Sequence, residues 1–412
     1  MQLDNIFERE KLKSISSHLL IAIAFFIPLS TPMPSILSAF IILIWLRIGE
    51  FKKNFNTLKS NKVILAILFL TTLYIMSLFW SDDLTHGLKY TIKKESRLLL
   101  IPLFMLFAKK EHIKYYLYAF VIGASISELF SYAIFFGIIP YFGHATYDSP
   151  NPFLGHIVYS PIIAMAIYIL LYYILFDSNI SKKEKIIYGI FFTTMTINLF
   201  ISGGRAGQVM FFGVLIIILF QYYNKQIIKT ITMFSIITPL ILVSFYSTLP
   251  NFKERVDAAF SDIAQLETDR STSLGLRITF ALNSMEVIKD NPIFGVGSGG
   301  FKKNYEGVNQ KLSPNLPDTV NPHNTYIFVL VELGLIGIFA VLAIFFFQLK
   351  HALTQEDIFL KHLGVALPLL FLLIMLSESY LFIVNTAFMF VLFSSFLYKK
   401  YPDSDNRLKN GI

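Results

Sequence analysis

The sequence contains no cysteine, few charged residues and almost no tryptophan. The absence of cysteine excludes disulfides, thiolate metal sites and a cysteine nucleophile. Only 15% of the 412 residues are charged, whereas a soluble domain carries roughly 25%. Because these few charges cannot cover the surface of a chain that is 55% hydrophobic, we predict that lipid is the solvent for most of it.

Long apolar runs, rich in phenylalanine, recur along the chain. A membrane-spanning helix needs about 20 apolar residues. The first run follows a basic start but lacks a signal-peptide cleavage site, so we interpret it as a retained helix. We therefore predict one all-α integral membrane domain over residues 1–412, with about twelve spans. The predicted spans are 16–32, 34–49, 62–80, 97–108, 115–139, 154–176, 185–202, 206–223, 228–248, 324–348, 358–377 and 380–398.

The lysines and arginines predict the orientation. They concentrate in one alternating set of loops and in both termini, which the positive-inside rule makes cytoplasmic. We assign the net charge of +8 to these loops rather than to nucleic-acid binding. The opposite side then receives the segments 81–96, 140–153, 203–205, 249–323 and 377–380. The segment 249–323 is too long for a structureless loop, so we predict short helices within it.

A glycine-flanked arginine separates two apolar runs on the non-cytoplasmic side. The sequence is Ser-Gly-Gly-Arg-Ala-Gly-Gln over 202–208, with the arginine at Arg205. Glycines permit a tight turn close to a ligand, and a guanidinium matches phosphate oxygens in a bidentate fork. The simpler interpretation is a turn that carries an interfacial arginine.

A second arginine opens an amphipathic stretch in the long segment. Arg277 ends the sequence Ser-Leu-Gly-Leu-Arg, and a glycine-rich run over 291–301 follows. Helix starts and glycine-rich turns both favour anions. The spacing is not that of a P-loop, and a surface arginine beside a flexible turn is the alternative.

A histidine lies at the mouth of a predicted span. Pro322 fits a helix start, and His323 and Asn324 follow it. Neutral imidazole is suited to accept a proton from a sugar hydroxyl; the alternative is a histidine that only caps the helix. Glu332, nine residues on, lies inside the span, where a carboxylate is unfavourable unless it is paired or lines a cavity.

A basic segment lies on the side where basic residues are unexpected. Lys89, Lys93 and Arg97 are spaced by four residues, which predicts one helix face, and Lys94 is adjacent. This stripe indicates an anionic ligand, or else a helix that rests on anionic headgroups. We find no convincing cluster of metal ligands on this side.

The order of these elements resembles the O-antigen ligase family, which also includes many O-antigen polymerases and protein O-oligosaccharyltransferases. The elements are the Arg205 turn, the motif at 273–277, Asn-Pro-x-x-Gly-x-Gly at 291–297 and Pro-His-Asn at 322–324. A helix predicted to continue through Glu332 and Gly334 to Gly337 completes the pattern.

The resemblance implies a GT-C-type, inverting, metal-independent glycosyltransferase of the bacterial inner membrane, with no cofactor. Such enzymes take a glycan from undecaprenyl pyrophosphate in the periplasm, and the ligases attach it to lipid A–core to form lipopolysaccharide. Arg205 and Arg277 match the family's pyrophosphate-binding arginines, and His323 matches its essential histidine, a general base. The remaining candidate residues are Asn324 and Glu332 in support, and the positional analogues Lys89, Lys93, Lys94 and Arg97.

Other functions remain open at this point. An O-antigen polymerase would use a second lipid-linked glycan as the acceptor. A protein O-oligosaccharyltransferase is expected to have a longer chain with more periplasmic sequence. A lipid or polysaccharide transporter would show inverted repeats and interrupted helices near the midplane, which the sequence does not show.

Overall fold

The computed structural model describes residues 2–401, with side chains from residue 7 onward. All regular elements in this part of the chain are helical, apart from one isolated bridge between Thr146 and Ser149. A helix satisfies its own backbone hydrogen bonds inside a bilayer, which is why long apolar runs adopt it there. The prediction of an all-α fold is confirmed.

Most of the helices follow one another with short connections, and residues 136–155 form a longer one. Those of the first half are α1 (Gln2–Phe26), α2 (Pro32–Ile48), α3 (Phe51–Leu58), α4 (Lys62–Met76), α5 (Leu84–His86), α6 (Ile92–Glu95), α7 (Leu100–Phe107), α8 (Ile113–Phe135) and α9 (His156–Phe176). Those of the second half are α10 (Lys182–Ile201), α11 (Arg205–Tyr222), α12 (Ile227–Thr248), α13 (Pro250–Ala264), α14 (Ser273–Asp290), α15 (Phe301–Leu312), α16 (Thr325–Leu353), α17 (Ile358–Ile374) and α18 (Val384–Leu397).

Seven helices in the described residues are long and apolar enough to cross a membrane. The count becomes eight if α2 and α3, which are bent by 114° at the break between them, form one span. The predicted total of about twelve also includes shorter apolar helices such as α7, α17 and α18. That total stays a prediction.

Helices α9 and α18 form the centre of the bundle. All residues of α18 from Asn385 to Leu397 are buried, and 78% of the apolar stretch of α9 is buried. Helices that are apolar all round belong inside a bundle. Helix α9 packs chiefly against α10 and α11, and α16 packs against α4 and α17. Helix α12 lies at the edge, where Thr230 is its only buried residue.

The segments predicted to share the non-cytoplasmic side contact one another at one end of the bundle. The Arg255 guanidinium donates to the carbonyl of Gly203 at 3.1 Å and to that of Asp148 at 3.4 Å. The Ser81 hydroxyl donates to the carbonyl of Ser298 at 2.6 Å. These contacts join four of the five segments, and the long segment supplies three helices, α13, α14 and α15, to this end. Which compartment this end faces stays a prediction.

The glycine-rich run 291–301 packs against a break in α16. Gly334 has φ 63° and ψ −158° inside α16, so the helix predicted to continue through this residue is interrupted. The amide of Gly297 donates to the carbonyl of Glu332 at 2.9 Å. A Cβ on Gly295 would lie 2.5 Å from the backbone of Glu332, so only glycine permits this approach. The run therefore fastens α16, and at these positions it does not present the open anion-binding turn that was predicted.

Candidate active site

A cavity of about 360 Å³ at this end of the bundle gathers three arginines. Arg205 comes from the start of α11, Arg255 from α13 and Arg277 from the first turns of α14. His156 and Tyr380 also line the cavity. The structure thus brings together two arginines predicted as site residues and a third that was not.

Glycines create the turn that positions Arg205. Gly203 has φ +64°, and a Cβ there would lie 2.3 Å from Cζ of Arg255. A Cβ on Gly204 would lie 2.1 Å from the Ser160 hydroxyl oxygen. The turn therefore requires both glycines. Gly203 adopts a left-handed backbone conformation, and at both positions a side chain would collide with a neighbouring residue. It sets the Arg255 guanidinium directly on the turn that precedes Arg205.

The start of α14 positions Arg277. The Thr272 side chain caps the helix by accepting from the amide of Gly275 at 3.2 Å. Arg277 lies in the second turn, and its guanidinium donates to the carbonyl of Ser377 at 3.2 Å. Ser377 belongs to the connection 375–383 between α17 and α18. Arg277 is thereby tied to a loop that is distant in sequence.

The positive charge of the cavity is not neutralised by ion pairing. Among the described residues, Arg205, Arg255 and Arg277 have no carboxylate oxygen within 4.0 Å. Arginine at a membrane boundary is unfavourable unless it is paired or functional. Three such groups around one cavity therefore favour an anionic ligand with several oxygen acceptors.

His323 forms a close pair with Glu378. Its Nδ1 lies 2.5 Å from Oε2 of Glu378, whose side chain is only 5% exposed. The other carboxylate oxygen accepts from the Asn321 amide at 2.5 Å and from the amide of Ser379 at 2.8 Å. Burial acts to raise the pKa of Glu378, but the hydrogen bonds from His323 and Ser379 outweigh it and hold the pKa below its ordinary value. A charged carboxylate thus faces the imidazole.

The backbone and a neighbouring ring orient His323 further. The residue has φ +54°, and its amide donates to the Asn321 side chain at 3.1 Å. The imidazole stacks on Phe280 at a centroid distance of 6.0 Å. With Nδ1 directed at Glu378, Nε2 makes no hydrogen bond within the described part of the chain, and the side chain is 31% exposed. An exposed Nε2 with a fixed Nδ1 is the arrangement that a general base requires.

Asn324, rather than His323, caps helix α16. Its side-chain oxygen accepts from the amides of Tyr326 and Ile327 at 2.9 and 3.1 Å. Its amide group donates to the carbonyl of Leu376 at 3.0 Å. The capping role considered for the histidine therefore belongs to its neighbour, which also holds the connection 375–383 in place.

The predicted basic stripe does not line the arginine cavity. A π-helical turn at Gly87–Thr91 and a 3-10 turn at Ser96–Leu99 interrupt the segment, so four-residue steps do not keep one face there. Lys89, Lys93 and Lys94 are exposed. Arg97 is half-buried, and it donates to the carbonyl of Phe382 at 2.7 Å. Their predicted role in pyrophosphate binding stays a prediction.

Among the described residues, Glu332 is hydrogen-bonded to the backbone and has no basic partner. It is fully buried, and its Oε1 accepts from the amide of Gly299 at 2.9 Å. Oε2 has no hydrogen-bond partner among the described residues. The carboxylate therefore fastens the glycine-rich run to α16, and it is neither in an ion pair nor among the residues that line the arginine cavity.

Sequence reasoning missed Arg255, Glu378, His156 and Tyr380. Each lies in or next to a segment assigned to the non-cytoplasmic side. No local motif marks these positions. The only signal in the sequence was that all four were predicted to lie on or near the same, non-cytoplasmic side of the membrane. Glu378 had the stronger signal, since it is a carboxylate in a very short connection between two apolar runs.

The fold and the site define a multi-pass membrane protein of helices, with an arginine-lined cavity and a histidine–carboxylate pair at one end. Residues 190–342 match the family model described as O-antigen ligase. This match confirms the resemblance over that segment. A relative in Haemophilus influenzae, described as an uncharacterized protein, is 31% identical over 173 residues. That match covers 40% of this chain and 41% of the relative, so the chain matches about two fifths of the relative's length.

Proposed function

We infer that the protein is an O-antigen ligase. It would transfer a glycan from undecaprenyl pyrophosphate to lipid A–core at the periplasmic face of the inner membrane, with both termini in the cytoplasm. The observation that carries this proposal is the three-arginine cavity, whose Arg277 is fixed to the same connection as the His323–Glu378 pair. A binding group for a leaving anion and a base for an incoming hydroxyl are what glycosyl transfer requires.

The arginines would activate the leaving group. As the bond between the anomeric carbon and the phosphate oxygen breaks, negative charge grows on pyrophosphate. Arg205, Arg255 and Arg277 supply fixed positive charge at one cavity, and fixed guanidinium groups can replace a metal in this role. The lipid-linked donor carries the energy for the reaction, so no nucleotide is needed.

His323 would activate the acceptor. Its Nε2 takes the proton of the acceptor hydroxyl while the hydroxyl oxygen forms the bond to the anomeric carbon. Glu378 holds Nδ1–H and stabilises the imidazolium that forms. A single displacement of this kind inverts the anomeric configuration and is consistent with a GT-C-type enzyme.

Deletion of the gene in its native host tests the proposal, with lipopolysaccharide resolved by gel electrophoresis. A ligase predicts loss of all attached O-antigen together with accumulation of the lipid-linked polymer. A single attached repeat would instead show a polymerase. Unchanged lipopolysaccharide would overturn both.

A further inference from the structure

A second cavity, of about 500 Å³, lies at the opposite end of α11 from Arg205. It is an open groove between the end of α11, the start of α12 and the part of α17 from Lys361 to Leu369. Its walls are apolar and include Ile216, Phe220, Ile231, Val365 and Leu369. Ile231 is 54% exposed and Leu369 is 39% exposed. An open apolar groove on the outside of a membrane bundle faces lipid acyl chains.

Two lysines lie at the polar end of this groove. Lys225 follows α11, and Lys361 lies in the first turn of α17. Neither lysine is in an ion pair with a carboxylate in the part of the chain that the structure describes. Both belong to the lysine-rich side of the protein. Basic pockets between helices on this side of a membrane protein suit anionic lipid headgroups.

Two buried polar atoms at the groove also lack partners. The Thr230 hydroxyl has no hydrogen-bond partner among the described residues, although the residue is only 3% exposed. Nδ1 of His362 is likewise buried and unpartnered, and both residues line the groove. Since buried polar atoms are nearly always hydrogen-bonded, these atoms indicate a polar ligand group that enters beside the lysines.

We propose that this groove binds an anionic phospholipid of the leaflet on the lysine-rich side. The phosphate lies between Lys225 and Lys361, with the Thr230 hydroxyl as a further donor. One acyl chain follows α17 from Lys361 to Leu369, a helical length of about 12 Å. That length approaches the roughly 15 Å of hydrocarbon in one leaflet. The lysine end of the groove lies at the opposite end of α11 from Arg205, and the proposal is independent of the proposed transfer reaction.

Thermal unfolding of the full chain in mild detergent tests this site. The probes are phosphatidylglycerol, phosphatidylcholine with the same acyl chains, and inorganic phosphate. We expect phosphatidylglycerol to raise the unfolding midpoint most, and the Lys225→Gln/Lys361→Gln variant to lose at least half of that rise. The matched control, Lys229→Gln/Lys350→Gln, removes the same charge from the same side outside the groove and should retain the rise.

Two further variants separate the headgroup from the chain. Thr230→Val keeps the shape but removes the hydroxyl, and Leu369→Trp narrows the groove without altering charge; both should weaken the lipid effect. Native mass spectrometry should show fewer retained phosphatidylglycerol molecules on these variants than on the wild type. An equal rise in the groove and control lysine variants, or an equal rise with phosphatidylcholine or inorganic phosphate, would overturn the proposal.

Discussion

Oε2 of Glu378 lies 2.5 Å from Nδ1 of His323, across 55 residues of sequence. The carboxylate is buried and accepts two further hydrogen bonds, so it has little freedom to move. The imidazole is therefore held on one side by Glu378 and on one face by Phe280. This relationship makes the two residues a functional unit whose members can be tested together.

Loss of His323 should remove most of the transfer activity. We expect His323→Ala to lower the rate by about 10²–10⁴-fold, the usual contribution of a general base, while donor binding survives. Glu378→Gln should cost less, because the imidazole remains but loses its charged partner. The double variant should be no slower than His323→Ala, since Glu378 acts through the histidine. Rates measured with purified protein and a lipid-linked donor decide this.

The matched control is Glu306→Gln, which removes a carboxylate paired with Lys302 at 3.6 Å on α15. It should keep the wild-type rate. If the losses from the His323 and Glu378 variants multiply, the two residues act separately.

Arg255 should matter as much as the two arginines that sequence motifs indicate. Removing one preorganised charge from a site that stabilises a leaving group costs about 10²-fold or more, so Arg255→Gln should nearly abolish transfer. Lysine should rescue poorly, because it lacks the planar fork that reaches two acceptors. Arg270→Gln is the control, since Arg270 is exposed and does not line the cavity. Wild-type turnover by Arg255→Gln would remove that residue from the site.

The glycine that precedes Arg205 should not tolerate alanine. A Cβ on Gly203 would meet the Arg255 guanidinium at 2.3 Å in a backbone with φ +64°. Gly203→Ala should therefore reduce transfer strongly and displace Arg255. Gly307→Ala is the control, because a Cβ on that helical glycine would have no neighbouring atom within 4 Å. It should leave activity intact and stabilise α15 by roughly 0.5–1 kcal/mol. Equal activity of both variants would contradict the proposed packing.

Stability should depend on pH through Glu95. Burial, and then repulsion from Glu332, raise the pKa of Glu95 well above its ordinary value of 4.5, against the opposing charges of Lys94 and Arg97. Both carboxylate oxygens are buried without a hydrogen-bond partner among the described residues. The folded state therefore keeps a proton that the unfolded state releases near 4.5. The contribution to stability is complete below that pH and is lost as pH rises toward the folded-state pKa.

Thermal unfolding across pH tests this in wild type and Glu95→Gln. The variant should be the more stable protein at neutral pH, and the difference should shrink as pH falls toward 4.5. A variant that is less stable than the wild type at neutral pH would show that Glu95 has a stabilising charged partner.

Reporter fusions test the orientation. A reporter after residue 300 should be periplasmic, and one after residue 182 should be cytoplasmic. The reason is that lysines concentrate in the loops of the side that contains residue 182, and the positive-inside rule makes that side cytoplasmic. Both reporters on one side would contradict the topology and the compartment assigned to the cavity.

The sequence predicted those features that are local. Arg205 and Arg277 could be singled out because each is a charge beside glycine at the edge of an apolar run, and His323 because it precedes a span. Arg255 has no such motif, and only the folding of α13 against the Gly203 turn brings it to the cavity. Long-range contacts of this kind leave no periodic signal in one sequence.

The single helix face predicted for the basic residues was wrong for a different physical reason, while their role in pyrophosphate binding stays a prediction. Four-residue spacing describes a face only in a regular α-helix, and the π-helical turn Gly87–Thr91, which contains Lys89, changes the angle between successive side chains. Likewise, Glu332 was expected to pair with a basic group or to line a cavity, but its Oε1 accepts a hydrogen bond from the backbone amide of Gly299. The spacing of residue types in a sequence predicts neither irregular helical turns nor hydrogen bonds donated by backbone amides.

Ser377 and Glu378 share a peptide bond, and that bond connects the two halves of the site. The Ser377 carbonyl receives Arg277, and the Glu378 carboxylate receives His323. A shift of this connection, as when a bulky glycan enters, would carry both anchor points in the same direction. On the proposed function, Arg277 receives the charge of the leaving group and Nε2 of His323 receives the proton. Because both residues are held by adjacent residues of one loop, the distance between them would change little when that loop moves.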